Sequence, residues 1–142
     1  MKKINIFVIA TLALIPLLKS CSDDPAMMSP ESVNASIQES SWTISKFTED
    51  NRDETTYFAG YSFEFGDNGL VTAVKQTNSF TGTYSSDSDD STTKLYLDFG
   101  NQPPFDELNE DWEVLEKTDN KIRLQHVSGG DGSIDLLEFT KN

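Results

Sequence analysis

The side chains that most often carry enzyme chemistry are scarce in this sequence of 142 residues. It holds one cysteine, Cys21, and one histidine, His126. Nucleophilic catalysis of the Cys–His or Ser–His type would have a single possible base, and no cluster of cysteines and histidines can form a zinc site. The sequence places no carboxylate or nucleophile beside His126, which lies near the end of a predicted strand. We therefore predict no catalytic residue, no cofactor and no enzyme activity.

Acidic residues outnumber basic ones by 24 to 11, and they form two clusters with conceivable chemistry. Asp87, Asp89 and Asp90 resemble the start of a calcium loop, because hard cations prefer several carboxylate oxygens. This segment lacks the glycine and the distal glutamate of an EF-hand, so a solvated acidic loop over 86–91 is favoured and no metal is assigned. The carboxylates of 106–113 could serve a glycosidase, but no pair is placed at a working separation. A hydrolase is therefore the least favoured function.

The first twenty residues have the three regions of a secretory signal peptide. Lys2 and Lys3 precede an apolar run over 4–18. As a helix this run is about 22 Å long, too short to cross a hydrocarbon layer of roughly 30 Å. Leu18-Lys19-Ser20-Cys21 then resembles the lipobox of bacterial lipoproteins. The resemblance implies cleavage before Cys21, acylation of Cys21 and attachment to the membrane through those acyl chains.

The residues after Cys21 extend this resemblance. Ser22-Asp23-Asp24 is similar to the acidic surface-export signal of lipoproteins from the Bacteroidetes group, which implies a lipid anchor in the outer membrane and display at the cell surface. A solvated linker is the alternative. Cleavage would remove three lysines and no acidic residue, so the net charge changes from -13 to -16. Such an anionic domain does not suit nucleic acid, and we expect it to meet the membrane only through its lipid.

Residues 21–40 are predicted to hold the lipidated cysteine, a flexible linker and a short helix. Ser29 is a suitable N-cap, and Pro30 suits the first helical position. Val33 and Ile37 lie four residues apart and would share one apolar face. We expect a helix of one or two turns.

From Ser41 onward apolar residues recur with a period of two, and the breaks fall at Gly, Asn, Asp and Ser clusters. The predicted strands cover 42–47, 57–65, 70–76, 79–85, 95–99, 112–114, 122–126 and 134–140. Among the connections only 100–110 is long enough for a crossover, which disfavours a two-sheet sandwich. Residues 41–142 are therefore predicted to form an all-β, up-and-down, eight-stranded antiparallel barrel, because closure removes both exposed edges.

Several motifs of this domain are similar to small lipocalin-like lipoproteins of the Bacteroidetes group. They are Ser41-Trp42-Thr43-Ile44, Phe58-x-Gly60-Tyr61-x-Phe63-x-Phe65, Gly69-x-Val71, Thr81-Gly82-Thr83-Tyr84, Leu95-x-Leu97-x-Phe99, Glu110-Asp111-Trp112-x-Val114 and Leu136-Leu137-x-Phe139. The resemblance implies a small lipocalin-like barrel, and most members have no assigned activity. Lipocalins carry Gly-x-Trp in the first strand after a short helix, whereas this chain keeps only the tryptophan. We expect Trp42 to close one end of the barrel, packed beneath the helix.

One predicted stripe of the strongest strand holds Tyr57, Tyr61, Phe63 and Phe65. Tyr57, Tyr61 and Phe63 are the candidate ligand contacts. The alternative is that these side chains belong to a packed core. We predict a lipid-anchored lipoprotein that binds a small apolar or glycan ligand, or an envelope protein, and this function needs a cavity. The alternative is an envelope inhibitor or assembly factor that uses its acidic surface against a basic protein, and this function needs a solid core with a negative patch.

Overall fold

The computed structural model describes residues 28–130 and 132–142. The predicted signal peptide, Cys21 and the linker after it lie outside the described residues, so these assignments stay predictions. Within the described ranges, no helix is long and apolar enough to cross a membrane.

Within the described residues, nine strands form one antiparallel sheet that closes on itself. The strands are β1 Ser41–Glu49, β2 Arg52–Asp53, β3 Ser62–Phe65, β4 Leu70–Lys75, β5 Asn78–Asp89, β6 Thr92–Asp98, β7 Asp111–Lys117, β8 Lys121–Val127 and β9 Ile134–Lys141. The last strand pairs with the first, with Trp42 opposite Lys141 and Thr48 opposite Leu136. The two-residue β2 is an addition beside the end of β1. The other eight strands form the predicted up-and-down barrel, which is confirmed.

The predicted N-terminal helix is also confirmed, as α1 Pro30–Gln38. Its N-cap is Ser29, whose hydroxyl oxygen accepts a hydrogen bond of 3.2 Å from the amide of Ser32. Val33 and Ile37 are fully buried against the barrel. The helix therefore covers the end of the barrel at which β1 begins, which we call the helix end.

Two short 3-10 helices, Thr55–Phe58 and Phe105–Leu108, cover the opposite end of the barrel. The second belongs to the long connection between β6 and β7. These helices contribute the buried side chains of Phe58, Phe105 and Leu108. We call this end the plug end, because these side chains close it.

The prediction of one long strand over 57–65 was wrong in its first half. Residues 55–58 form a 3-10 helix, and the strand spans only Ser62–Phe65. The Asp53 carboxylate accepts hydrogen bonds from both the amide and the hydroxyl of Thr55, at 3.1 and 2.7 Å. Such local side-chain bonds compete with strand pairing. Gly60 then adopts a φ of 82° and reverses the chain, so Phe58 rather than Tyr57 enters the core.

The prediction of an acidic loop over 86–91 was also wrong. Strand β5 continues to Asp89, and β6 starts at Thr92. Asp87 pairs with Lys94 across the two strands, and Asp90 and Ser91 alone form the turn, with φ values of 46° and 71°. Two consecutive left-handed residues match the twist of a tight hairpin, and aspartate tolerates this conformation. The three candidate calcium ligands therefore belong to an extended hairpin rather than to a loop that could wrap around a cation.

Candidate functional site

Aromatic rings fill the barrel at its plug end. Phe105 is fully buried, and its ring centroid lies between 4.9 and 6.1 Å from those of five other aromatic side chains. These neighbours are Phe58, Tyr61, Phe63, Phe80 and Phe99. Ring pairs at these distances add to the burial of apolar area, which contributes about 1.5–3 kcal/mol for a large side chain. Phe105 is therefore the central contact of the plug.

Two tryptophans tie the helical caps to the barrel. At the helix end, the indole nitrogen of Trp42 donates to the carbonyl oxygen of Ile37 at 2.8 Å. At the plug end, the indole nitrogen of Trp112 donates to the carbonyl oxygen of Leu108 at 3.0 Å. Both indole rings are buried, so each bond satisfies a donor that would otherwise be lost from water. The interior is thus a packed core with a cap at each end.

The three candidate ligand contacts do not share one surface. Phe63 is fully buried in the core, with its ring 5.6 Å from that of Phe139. Tyr61 is partly buried, while Tyr57 is 55% exposed on the first 3-10 helix. Ligand contact by these residues stays a prediction, and in the folded barrel only the two tyrosines are accessible from outside.

The largest groove that we describe lies outside the barrel, at the helix end, with a volume of about 580 Å³. It runs between the end of α1 and the turn that joins β3 to β4. Its polar lining includes Gln38, Ser40, Ser41, Glu64, Asn68 and Thr72, with Phe65 and Leu70 as apolar neighbours. Its volume lies within the range of about 300–1,000 Å³ that is usual for small-molecule sites.

A chain of two short hydrogen bonds holds the walls of this groove together. The side-chain amide of Gln38 donates to the hydroxyl of Tyr84 at 2.6 Å, and this hydroxyl donates to the carbonyl oxygen of Gly66 at 2.6 Å. Tyr84 is only 7% exposed, so the link between helix and turn is largely shielded from water. The Gln38 amide is consequently oriented before any ligand arrives.

Other polar groups of the groove are also fixed by the fold. The side-chain oxygen of Asn68 accepts from the amide of Leu70 at 3.2 Å, which orients its amino group. The Ser41 hydroxyl accepts from the side chain of Asn142 at 3.0 Å, and the same amide nitrogen reaches Ser62 at 3.0 Å. Amide and hydroxyl groups held in this way can recognise a polyol, because each offers a directed donor or acceptor.

Charge at the groove favours neutral or cationic ligands over anions. Glu39 and Glu64 are both among its lining residues. The nearest described counter-charge to Glu39 is Lys141, at 4.0 Å between Nζ and Oε2. An anionic ligand would therefore approach two carboxylates with little compensation.

A different kind of acidic surface lies at the plug end. Burial, followed by the nearby carboxylates of Glu107, Glu54 and Asp135, raises the pKa of Glu49 to about 7. Glu107 belongs to the second 3-10 helix, so these charges surround the plug. The plug end is accordingly a region of concentrated negative potential.

No family model matches this chain, and no curated protein matches it. Solved structures do match it, among them three from Bacteroides species. An uncharacterized protein from Bacteroides eggerthii is 15% identical, with 72% of this chain and 98% of that chain covered and a TM-score of 0.49. A DUF4847 family protein from Bacteroides vulgatus is 16% identical, with coverages of 78% and 97% and a TM-score of 0.49.

The third structure is a lipocalin-like protein from Bacteroides uniformis, 15% identical, with 74% of this chain and 98% of that chain covered and a TM-score of 0.44. Identities this low say nothing about a ligand.

The groove residues were not predicted as a site. Gln38 and Tyr84 lie 46 positions apart, and only closure of the helix onto β5 brings them together. The prediction that His126 lacks a carboxylate partner was wrong, because Nδ1 lies 3.0 Å from the Asp111 carboxylate. Ser41 and Phe65, which line the groove, were noted in the sequence only as parts of the barrel motifs and of the aromatic stripe.

Proposed function

We propose that this protein is a lipid-anchored binding protein of the bacterial outer membrane, displayed at the cell surface, that recognises a neutral, polyol-type ligand such as a glycan. The lipocalin-like barrel is a fold that generally binds ligands, and here its filled interior acts as a rigid scaffold. The observation that carries the proposal is the bonded link from Gln38 through Tyr84 to Gly66, which pre-orients the wall of the largest described groove. Preorganised polar groups reduce the ordering cost of binding.

The chemistry of the groove selects the ligand class. Amide and hydroxyl groups would bind sugar hydroxyls, while the two carboxylates would repel anions. Leu70 is 40% exposed and lies beside the groove, so it offers an apolar surface to the face of a sugar ring. A ligand with both polar edges and an apolar face fits this combination best.

The attachment of the chain bears on where the groove would sit. The carbonyl oxygen of Met28 accepts a hydrogen bond from the hydroxyl of Thr93, so the described chain starts at the helix end of the barrel. With Cys21 acylated, at most about 25 Å of chain would separate the lipid from Met28. The groove would then lie close to the membrane surface, where surface glycans are anchored, and the plug end would face away.

A second candidate function is an envelope inhibitor or assembly factor that binds a basic protein. The filled core is what this alternative predicted, and the carboxylates around Glu49 supply a concentrated negative region at the plug end. Binding of this kind should weaken steeply as salt is added, whereas binding of a neutral sugar should change little.

Saturation-transfer NMR with chitobiose, lactose and maltose tests the leading proposal. We expect transfer to at least one of these neutral disaccharides, and its loss in the Gln38→Ala and Asn68→Ala variants. Gln125→Ala is the matched control, because this glutamine lies on β8 and is absent from the groove. Equal transfer by Gln38→Ala, Asn68→Ala and the control, or none by the unmodified protein to any of the three sugars, would contradict the proposal.

A further inference from the structure

The single histidine of the chain lies between two carboxylates, away from the groove. His126 is the sixth residue of β8, and its side chain is only 16% exposed. The indole ring of Trp112 packs 6.2 Å from the imidazole ring at an interplanar angle of 68°. The imidazole is therefore held in one position by the same tryptophan that anchors the plug.

Two oxygens of Asp111 face one nitrogen of this imidazole. Nδ1 of His126 lies 3.0 Å from Oδ1 of Asp111 and 3.4 Å from the backbone carbonyl oxygen of the same residue, and the other carboxylate oxygen lies 2.6 Å from the ammonium of Lys94. Both oxygens beside Nδ1 can only accept, which places the proton of a neutral imidazole on Nδ1. Nε2 is then left with a free lone pair. This arrangement is the one in which a carboxylate orients a metal-binding histidine.

The second carboxylate faces that lone pair. Oε2 of Glu110 lies 3.5 Å from Nε2 of His126, which is long for a strong hydrogen bond. Two ligand atoms at one edge of a tetrahedral zinc site are about 3.4 Å apart, given metal–ligand distances of about 2.0–2.2 Å. The Glu110 backbone is held in place, because its amide donates to Leu108 at 2.8 Å and its carbonyl accepts from Leu97 at 3.2 Å.

We propose that His126 and Glu110 form a binding site for a divalent transition-metal ion of the zinc, copper or nickel class, with Asp111 as the positioning residue. One potential ligand atom from each of these three residues lies within 4.8 Å of the others. Imidazole selects these metals over calcium and magnesium. A groove of about 120 Å³ borders His126, and its charged lining includes Lys94, Asp111 and Glu113.

This site is independent of the proposed function, since none of its residues lines the groove at the helix end. It also departs from the sequence-based prediction that the chain has no metal site. The sequence did not reveal it, because His126 and Glu110 are brought together only by the pairing of β7 with β8.

Titration of the purified chain with ZnCl2, followed by long-range proton–nitrogen NMR of the imidazole, tests this proposal. A single histidine makes the assignment unambiguous. We expect Zn²⁺ to shift the Nε2 resonance while Nδ1 stays protonated. The Cys21→Ser background is used throughout, because a free thiol would bind zinc on its own. In that background His126→Gln should abolish binding, and Glu110→Gln should weaken it by about tenfold or more.

The positioning role of Asp111 is tested by the imidazole tautomer, which a loss of folding would not change in the same way. In Asp111→Asn the proportion of the Nε2-protonated tautomer should rise and Zn²⁺ affinity should fall by about tenfold, with the Trp112 fluorescence and the melting transition retained. Glu116→Gln is the charge-matched control, because Glu116 lies on β7 outside the groove beside His126, and it should change affinity by less than a factor of about three. An imidazole spectrum that Zn²⁺ leaves unchanged, or an equal loss of affinity in Glu116→Gln and Glu110→Gln, would overturn the proposal.

Discussion

The indole nitrogen of Trp42 donates a 2.8 Å hydrogen bond to the carbonyl oxygen of Ile37, and both side chains are fully buried. This bond joins the first strand to the helix that precedes it. It satisfies a carbonyl in the last turn of the helix, where backbone acceptors lack helical partners. The helix end is therefore held by both apolar packing and a directed bond.

Replacement of Trp42 tests this closure. Trp42→Ala should lower the free energy of unfolding by about 3–5 kcal/mol, because it leaves a cavity beneath the helix. Trp42→Phe should lower it less, by about 1–3 kcal/mol, through loss of the bond to Ile37. Urea denaturation measures both changes. A Trp42→Ala protein that unfolds at the same urea concentration as the parent would refute the closure.

Phe105 closes the plug end of the barrel, as Trp42 closes the helix end. Phe105→Ala should cost about 3–5 kcal/mol and open an apolar cavity among the rings around it. Because a dry apolar cavity binds benzene or xenon, the variant should gain stability when benzene is added. The parent, whose interior is filled, should not. Equal stabilisation of both proteins by benzene would indicate that a cavity already exists.

The elevated pKa of Glu49 makes stability depend on pH in a defined direction. Its pKa rises from 4.5 to about 7 in the folded chain, so the folded protein binds the extra proton and loses stability as pH increases between these values. The expected loss is roughly 1–2 kcal/mol, since water partly screens this side chain. Glu49→Gln should remove this dependence of the free energy of unfolding on pH.

Urea midpoints measured from pH 4.5 to 8 provide the comparison. Glu107→Gln should also flatten the curve, because Glu107 is the largest single carboxylate contribution to the shift. Glu113→Gln serves as the control and should retain the slope of the parent, because the Glu113 carboxylate is not among the groups that raise the pKa of Glu49. A Glu49→Gln protein whose urea midpoint still falls with pH as steeply as that of the parent would contradict this assignment to Glu49.

Gly82 lies where two segments approach closely. A Cβ atom there would lie 2.5 Å from the Asp98 carbonyl oxygen and 2.9 Å from the Phe99 ring. Gly82→Ala should therefore cost about 1–3 kcal/mol, as other overpacked cores do. Gly129→Ala is the matched control, since a Cβ atom at Gly129 would have no neighbouring atom within 4 Å. Thermal unfolding of the two variants should differ clearly, and equal melting temperatures would contradict the close approach.

Sequence periodicity predicted most of this barrel because the inward residues of its long strands are apolar and the outward ones are polar. It failed over 57–61, although the predicted period of two continues there. The Asp53 carboxylate stabilises a 3-10 helix in place of the strand, and the left-handed Gly60 turns the chain. It failed again over 86–91, since pairing with β6 extends a strand whose Ser and Asp residues have little strand propensity. Local composition could not foresee either tertiary effect.

The candidate sites were harder to foresee than the fold. The groove depends on Gln38 and Tyr84, which lie 46 positions apart and meet where α1 packs on β5. The histidine cluster depends on Glu110 and His126, which the pairing of β7 with β8 brings together. The aromatic stripe was interpreted as a ligand surface, yet its Phe63 is part of the core. Such residues look alike in sequence because core and pocket linings use the same side chains.

Amide chemical-shift mapping with the disaccharide that gives the strongest saturation transfer is the most direct test of the central claim, that the barrel is solid and binds its ligand outside. We predict shifts confined to residues 38–41 and 64–72, with the core residues Phe63, Phe105 and Phe139 unaffected. Shifts centred on these three phenylalanines would show that the ligand enters the barrel, and would contradict the account.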